Sequence, residues 1–366
     1  DTELYLTLST GGLSQYESNL NASLAKTGAS PLEATRLNHL RKFRSKRQEL
    51  INKDPVVAMS RFGKSEAVPL DWTADQKDFT AEVKTRVNDT TAFANLNSTD
   101  VKYFTNSEKA SLSNVFDQAD TKTQAGILVK LTEAFGNKSP EAFAEISSQS
   151  PVIAHLGGLA MATGQEHTIV DALNGLKQMQ EGNKPLETYN TGDNKYLELQ
   201  SQLGSAYSNL PKTRSAIIKT ANAIYTQRSI SAGLDSFDSM MYEKAFQESS
   251  GAIYSGDNVY GGVITHNEKQ IPIPNNINQK DFKYIIENAT YEEFQKASNG
   301  ALKDSKGRKY STRALSEGVI APINTNEAHW YAEEYRNNPG ALRFFTEDNL
   351  PVIIDLRILG DLVKVN

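Results

Sequence analysis

Residues 211–265 read PKTRSAIIKT ANAIYTQRSI SAGLDSFDSM MYEKAFQESS GAIYSGDNVY GGVIT, and the fold turns on them. Pro211 suits a first helical turn, where its missing amide would be unpaired anyway. Ile217, Ile218, Ala221, Ile224 and Tyr225, then Phe237, Met240, Met241 and Phe246, recur at three- and four-residue spacing, which predicts a long helix towards Ser250. Gly233 costs about 1 kcal/mol in a helix interior, so a break is expected there. At Gly251 the texture changes. Ile253, Tyr254, Val259, Tyr260, Val263, Ile264 and Thr265 favour strands, and Gly256-Asp257-Asn258 is a turn signal between them. The prediction is a mostly α chain with a small α+β C-terminal module. Helical hairpins or a bundle would occupy 1–250, with a break near 185–210 that would separate two sub-bundles. Short strands and two to three helices would occupy 251–366.

Upstream, helix-start signals precede each apolar run. Ser30-Pro31-Leu32-Glu33 is a capping box with Pro at the first helical position, ahead of Leu37, Leu40, Phe43 and Leu50 and a helix running towards Asn52. Thr73 and Gln76 suggest a second box before Phe79, Val83 and Val87, and Thr105 and Glu108 a third before Leu112, Val115 and Phe116. Leu128, Leu131 and Phe135 share one face of the next helix. Ser139-Pro140-Glu141 and Ser150-Pro151 start two more. No strict internal repeat of fixed period is present.

Downstream, Gln270-Ile271-Pro272-Ile273-Pro274 is excluded from a central strand, because Pro donates no ladder hydrogen bond. Asn278 is expected to cap a helix holding Phe282, Ile285 and Ile286. Thr290 and Glu293 form a box for the next helix, ending at Asn299-Gly300. Lys303 to Arg308 reads as a polar turn, and Pro351-Val352-Ile353-Ile354-Asp355-Leu356 as a closing strand.

Composition excludes several functions. The 366 residues hold 39 basic and 44 acidic side chains, a net charge of −5, so the chain as a whole is not a nucleic-acid clamp. No cysteine is present, which removes disulfide scaffolds, thiolate metal sites and thiol nucleophiles. No apolar run approaches the roughly 20 residues needed to span a bilayer. The chain opens on Asp1 without a signal-peptide pattern, and the expectation is a processed chain or part of a longer one.

Motifs for chemistry are sparse. His39, His155, His167, His266 and His329 form no metal-ligand spacing, so no metal and no cofactor is expected. No Ser stands in a nucleophile elbow, and Gly11-Gly12, Gly157-Gly158 and Gly261-Gly262 lack a phosphate-loop frame. The catalytic candidate is Glu248. Phe246-Gln247-Glu248-Ser249-Ser250-Gly251 resembles the opening of the lytic transglycosylase signature, in which a Glu-Ser pair at a helix end supplies the general acid. The later segments of that signature are missing. The plainer expectation is an exposed residue at a helix C-terminus, stopped by Gly251. Arg36, Arg41, Lys42, Arg44 and Arg47 form the one strongly basic stretch. Phosphate contact with DNA is its functional reading. A solvated helix face offset by Glu33 and Glu49 is the plainer one. Asp304-Ser305-Lys306-Gly307 has too few carboxylates for a calcium loop. Trp330, Tyr331 and Tyr335 are read as core anchors rather than a sugar or partner surface.

Two longer segments carry a resemblance. The first runs from Asn52-Lys53-Asp54-Pro55-Val56 through Val68-Pro69-Leu70-Asp71, Phe104-Thr105-Asn106-Ser107-Glu108 and Phe135-Gly136 to Ser150-Pro151 and Ala160. The second joins Tyr260-Gly261-Gly262-Val263 and Ile271-Pro272-Ile273-Pro274 to Asn278–Phe282, Asn299-Gly300, Gly307-Arg308 and Val352-Ile353-Ile354-Asp355-Leu356. This pattern resembles the large internal or ejection-type virion proteins of tailed bacteriophages and related prophages. The resemblance implies a non-enzymatic virion component, in the capsid or at the portal or tail. It would assemble with itself and other virion proteins, contact packaged DNA, and take part in genome delivery into the host envelope. Some relatives carry a lytic transglycosylase domain elsewhere in a longer chain, and no family catalytic residue maps onto this sequence. The alternative function is peptidoglycan cleavage, by this chain or by a larger enzyme of which it is a non-catalytic part.

Overall fold

The computed structural model describes residues 2–27, 30–63, 67–183, 211–266, 269–298, 341–345 and 351–363. The architecture is mostly helical with a small antiparallel sheet near the C-terminus, as the sequence predicts. Contacts divide the chain into two compact units. One comprises Asp1–Ala119 and Lys130–Ala154, the other Asp120–Val129 and His155–Asn366. The change from helices to strands at 251 falls inside the second unit. The expected break at 185–210, the turn at 303–308 and Trp330, Tyr331 and Tyr335 lie outside the described residues.

The first unit contains α1 (Thr2–Thr7), α2 (Thr10–Thr27), α3 (Pro31–Lys53), α4 (Pro55–Phe62), α5 (Gln76–Asn97) and α6 (Asn106–Gln118). Helix α7 (Thr121–Phe135) contributes residues to both units, α8 (Ser139–Ile146) belongs to the first, and α9 (Pro151–Thr163) again contributes to both. Ser30 caps α3 by accepting from the Glu33 amide at 3.3 Å. The Thr105–Glu108 box forms in full at the start of α6. The Thr73–Gln76 box does not form. Thr73 instead turns back on Asp71, its amide 2.8 Å from Oδ1, and Asp75 caps α5 through the Asp78 amide at 2.9 Å. A carboxylate adjacent to the helix start outcompetes a hydroxyl already engaged in a turn.

Apolar stripes close this unit. Tyr5, Leu13 and Leu40 form one cluster with Leu8, Tyr16 and Phe43. Ile51, Val56, Ala58, Met59 and Phe93 form another. Asp54 ties two elements together: one oxygen caps α4 at the Val57 amide, and the other accepts from the Asn106 amide at 3.2 Å. Trp72 packs against Phe79 and Phe104, and Phe104 against Phe135, with ring centroids 5.3–6.0 Å apart.

A polar node is buried in the same unit. Arg86 and Glu108 are 3% and 5% exposed and pair through two hydrogen bonds of 3.0 and 2.9 Å. Arg86 also donates to the carbonyls of Tyr103 and Val68. Glu108 accepts from the amides of Leu70 and Thr105. Burial works against the Glu108 charge, but Arg86 and the two amides outweigh it and hold the carboxyl below its usual range. One ion pair therefore satisfies four backbone groups of the loops at 68–70 and 103–105, which have no ladder of their own.

In the second unit α10 (Glu166–Gln180) packs along α11 (Pro211–Ser231), and α11 along α12 (Ser239–Ser249). The expected break occurs: α11 stops at Ser231, and Gly233 adopts φ 63° before Asp238 caps α12. Tyr225 and Tyr242 are fully buried and meet edge-to-face at 5.3 Å. The Tyr225 hydroxyl accepts from the Asp238 amide at 2.9 Å, and that of Tyr242 donates to Asn222 at 3.0 Å.

Strands β1 (Ile253–Ser255), β2 (Asn258–His266) and β3 (Lys269–Asn278) form an antiparallel sheet in that order. Pro272 and Pro274 therefore sit on an edge strand. They are two residues apart, so their missing amides fall on the same side of β3. The ladder is irregular between Tyr260 and Gly262. Gly261 and Gly262 adopt φ 69° and 76°. A Cβ on Gly261 would lie 2.6 Å from the Gly251 carbonyl, and one on Gly262 2.7 Å from Gln247 Oε1. The pair thus serves a bulge under close backbone approach. Gln247 uses that approach: its amide donates to the Val263 carbonyl at 3.1 Å and accepts from the Val263 amide at 3.3 Å, joining α12 to β2.

Asn278 does not cap a helix. It ends β3, and α13 (Phe282–Asn288) begins at Asp281. The Thr290–Glu293 box opens α14 (Tyr291–Ala297) as expected. The closing strand is shorter than predicted. Strands β4 (Ala341–Phe345) and β5 (Pro351–Asp355) pair antiparallel, and Asp355 then caps a final helix, α15 (Leu356–Leu362), at the Arg357 amide. Gly360 lets α15 approach β3, since a Cβ there would lie 2.7 Å from Ile277 Cγ1.

Candidate functional site

Glu248 is not exposed, contrary to the plainer expectation. It is 3% exposed in the last turn of α12. Its Oε2 lies 2.5 Å from Arg228 Nη1 on α11, and Arg228 Nε lies 2.8 Å from Asp171 Oδ2 on α10. Burial works against the Arg228 charge, but Glu248 and Asp171 outweigh it and hold the guanidinium above its ordinary value. Three helices are tied by one arginine. Nearby Tyr254 is pushed up to about 12, first by burial and then by the charges of Glu248 and Glu243, and Lys244 lies 4.9 Å from its ring centroid.

This arrangement suits a structural cross-link. A glycosidic general acid must deliver a proton to a substrate it touches. Glu248 instead offers its oxygen to a guanidinium that stays protonated at every working pH, and its side chain lies beneath the surface. No local spacing announces the triad, because its members are 20 and 57 residues apart.

The basic stretch is also turned to internal use. Arg41 Nε is 2.9 Å from Glu17 on α2, and Arg44 shares the other oxygen of the same carboxylate. Arg44 also reaches Ser14 at 3.0 Å. Arg47 is 3% exposed, correcting the solvated-face expectation, and donates to Leu8 O and Asn97 Oδ1. Arg36 and Lys42 are exposed. The offsetting acid is Glu17 rather than Glu33, which engages Ser30, or Glu49. Glu17 was invisible to a reading of one helix at a time, because it lies on the preceding one.

Among the described residues no group of three His, Asp or Glu side chains is arranged to hold a metal ion, and no helix is long and apolar enough to cross a membrane. His39 and His167 are exposed. His155 packs inside, with Nε2 2.6 Å from Thr220 Oγ1. Thr220 donates to the Ala216 carbonyl at 2.9 Å, so the imidazole is the donor towards Thr220. Burial, then the charge of Lys219, lowers the His155 pKa from its usual 6.5. The fold thus favours neutral imidazole. Its contribution is complete above the unfolded pKa and is lost as pH falls through the lowered folded one. Resistance of the wild type to urea should therefore fall from pH 7 to pH 5, and His155→Gln should flatten the part of that slope due to this residue.

Comparison of the chain with protein-family models, with curated proteins and with solved structures returns no match.

Proposed function

We propose that the chain is a non-enzymatic assembly component of a tailed-phage virion, of the internal or ejection class, packing against copies of itself and other virion proteins. The observation that carries the non-enzymatic part is the fate of Glu248. The carboxyl nominated for acid–base chemistry is buried and committed to Arg228. The virion assignment rests on the sequence resemblance. Without cysteine, no disulfide opposes threading of the chain through a narrow passage.

Quantitative peptide mass spectrometry of intact particles against particles that have released their DNA tests the reading. The chain should be present in the first and depleted in the second. Absence from both would remove the virion assignment. The alternative, peptidoglycan cleavage with Glu248 as general acid, keeps one supporting observation: Glu248 stands in a helix end directly ahead of a three-stranded antiparallel sheet. Clearing of cell walls by the wild type, abolished in Glu248→Gln, would favour it.

A further inference from the structure

We propose that the groove between α2 and α3 is a binding site for a single phosphate group, a proposal independent of the assembly reading. A cavity of about 290 Å³ opens there, lined by Thr10, Glu17, Arg41, Arg44, Arg47 and Gln48 among others. The lining holds three arginines and one carboxylate, and two of the arginines, Arg41 and Arg44, pair with it. Arg41, Arg44 and Arg47 follow one another at three-residue steps, which places them along one flank of α3.

The charge is not balanced from within. Arg41 and Arg44 share Glu17. Arg47 has no carboxylate partner among the described residues. Its neighbours are the Leu8 carbonyl, the Asn97 amide oxygen and the Phe62 ring at 5.1 Å from Cζ, and its Nε is buried without a hydrogen-bond partner. A permanently charged group withdrawn from water costs several kcal/mol unless an anion offsets it. Arg47 is buried behind the groove, and the place for an anion is beside Arg41 and Arg44, which share the single carboxylate of the lining.

The lining also selects the ligand. Arginine forks match the oxygens of phosphate and engage them bidentately. Arg41 Nη1 has no partner among the described residues and is the readiest donor, on a side chain 53% exposed. The cavity is at the small end for ligand pockets and has no aromatic wall on which a base could stack. It therefore fits a phosphate group and not a nucleoside. Glu17 is the resident counter-ion with which the phosphate competes for Arg41 and Arg44.

That competition gives two substitutions opposite signs. Calorimetric titration of the full chain with orthophosphate at fixed ionic strength, with chloride as control, should show saturable binding. Arg41→Gln should weaken it about tenfold, the effect of losing one charge-assisted hydrogen bond. Glu17→Gln should strengthen it several-fold. The Arg41 side chain is exposed and that of Glu17 partly buried, and circular dichroism would verify that both variants are folded. A short DNA duplex as second titrant identifies the source. Binding of the duplex with the same residue dependence assigns the site to a phosphodiester backbone, and binding of orthophosphate alone assigns it to free phosphate. Absence of both, or binding indifferent to the two substitutions, overturns the proposal.

Discussion

Arg86→Met is expected to lower the unfolding free energy by about 3–5 kcal/mol, the cost of leaving a buried charge without its partner. The substitution strands Glu108, 5% exposed, and unpairs the carbonyls of Tyr103 and Val68. Double replacement with apolar residues, Arg86→Met with Glu108→Leu, should not restore stability. In many buried pairs it would, but here Glu108 also receives the amides of Leu70 and Thr105, which would be orphaned. Trp72, packed on Phe79 and Phe104, gives a fluorescence signal for urea unfolding of this unit. The sign of the pH dependence is a second check. In the wild type the lowered pKa of Glu108 contributes stability above the unfolded value of about 4.5, lost as pH falls through the folded one. In Arg86→Met the unpaired carboxylate favours protonation, so the deficit should shrink between pH 7 and pH 4. A deficit below about 1 kcal/mol at pH 7 would place the pair among surface-like bridges and refute this account of the node.

Gly175→Ala should destabilise the second unit by about 3 kcal/mol, towards or beyond the upper end of overpacking costs. Helix propensity argues the other way, since Ala is favoured over Gly by about 1 kcal/mol in a helix interior. Space decides. A Cβ at Gly175 on α10 would sit 1.8 Å from the Ala223 carbonyl oxygen and 2.3 Å from its carbon, both backbone atoms of α11. Neither atom can yield by a rotamer change, so the helices must separate along their shared face. Gly158 is the control, because its Cβ would meet nothing within 4 Å. Gly158→Ala should be neutral or slightly stabilising in the same circular-dichroism melt.

Local signals carried much of the fold. The cap at Ser30, the full boxes at Thr105 and Thr290, the prolines at 31, 140, 151 and 211, and the break at Gly233 are decided within one helical turn, so they are legible in the residues, although Glu33 bonds the Ser30 hydroxyl and leaves its box incomplete. The edge position of Pro272 and Pro274 followed from a missing donor. Signals that compete locally misled. Thr73 gave way to Asp75 as a cap, and Asn278 completed a strand instead of opening a helix. Helix α15 was missed because seven residues are too few for a period and Gly360 argues against a helix. Packing against Ile277 rewards that glycine, and sequence spacing does not reveal it.

The candidate sites divide in the same way. The sequence by itself determined which side chains carry charge and where helices start, because caps, prolines and apolar spacing act over three or four residues. Only the tertiary structure decided what those charges meet. Glu248 found Arg228 and Asp171, and Arg41 and Arg44 found Glu17, across intervals that leave no periodic trace. Burial and pairing of charge are properties of two or three helices together, so a helix read alone shows an exposed acid and an unpaired basic face where the folded chain has a buried acid held by Arg228 and partly exposed arginines paired with Glu17.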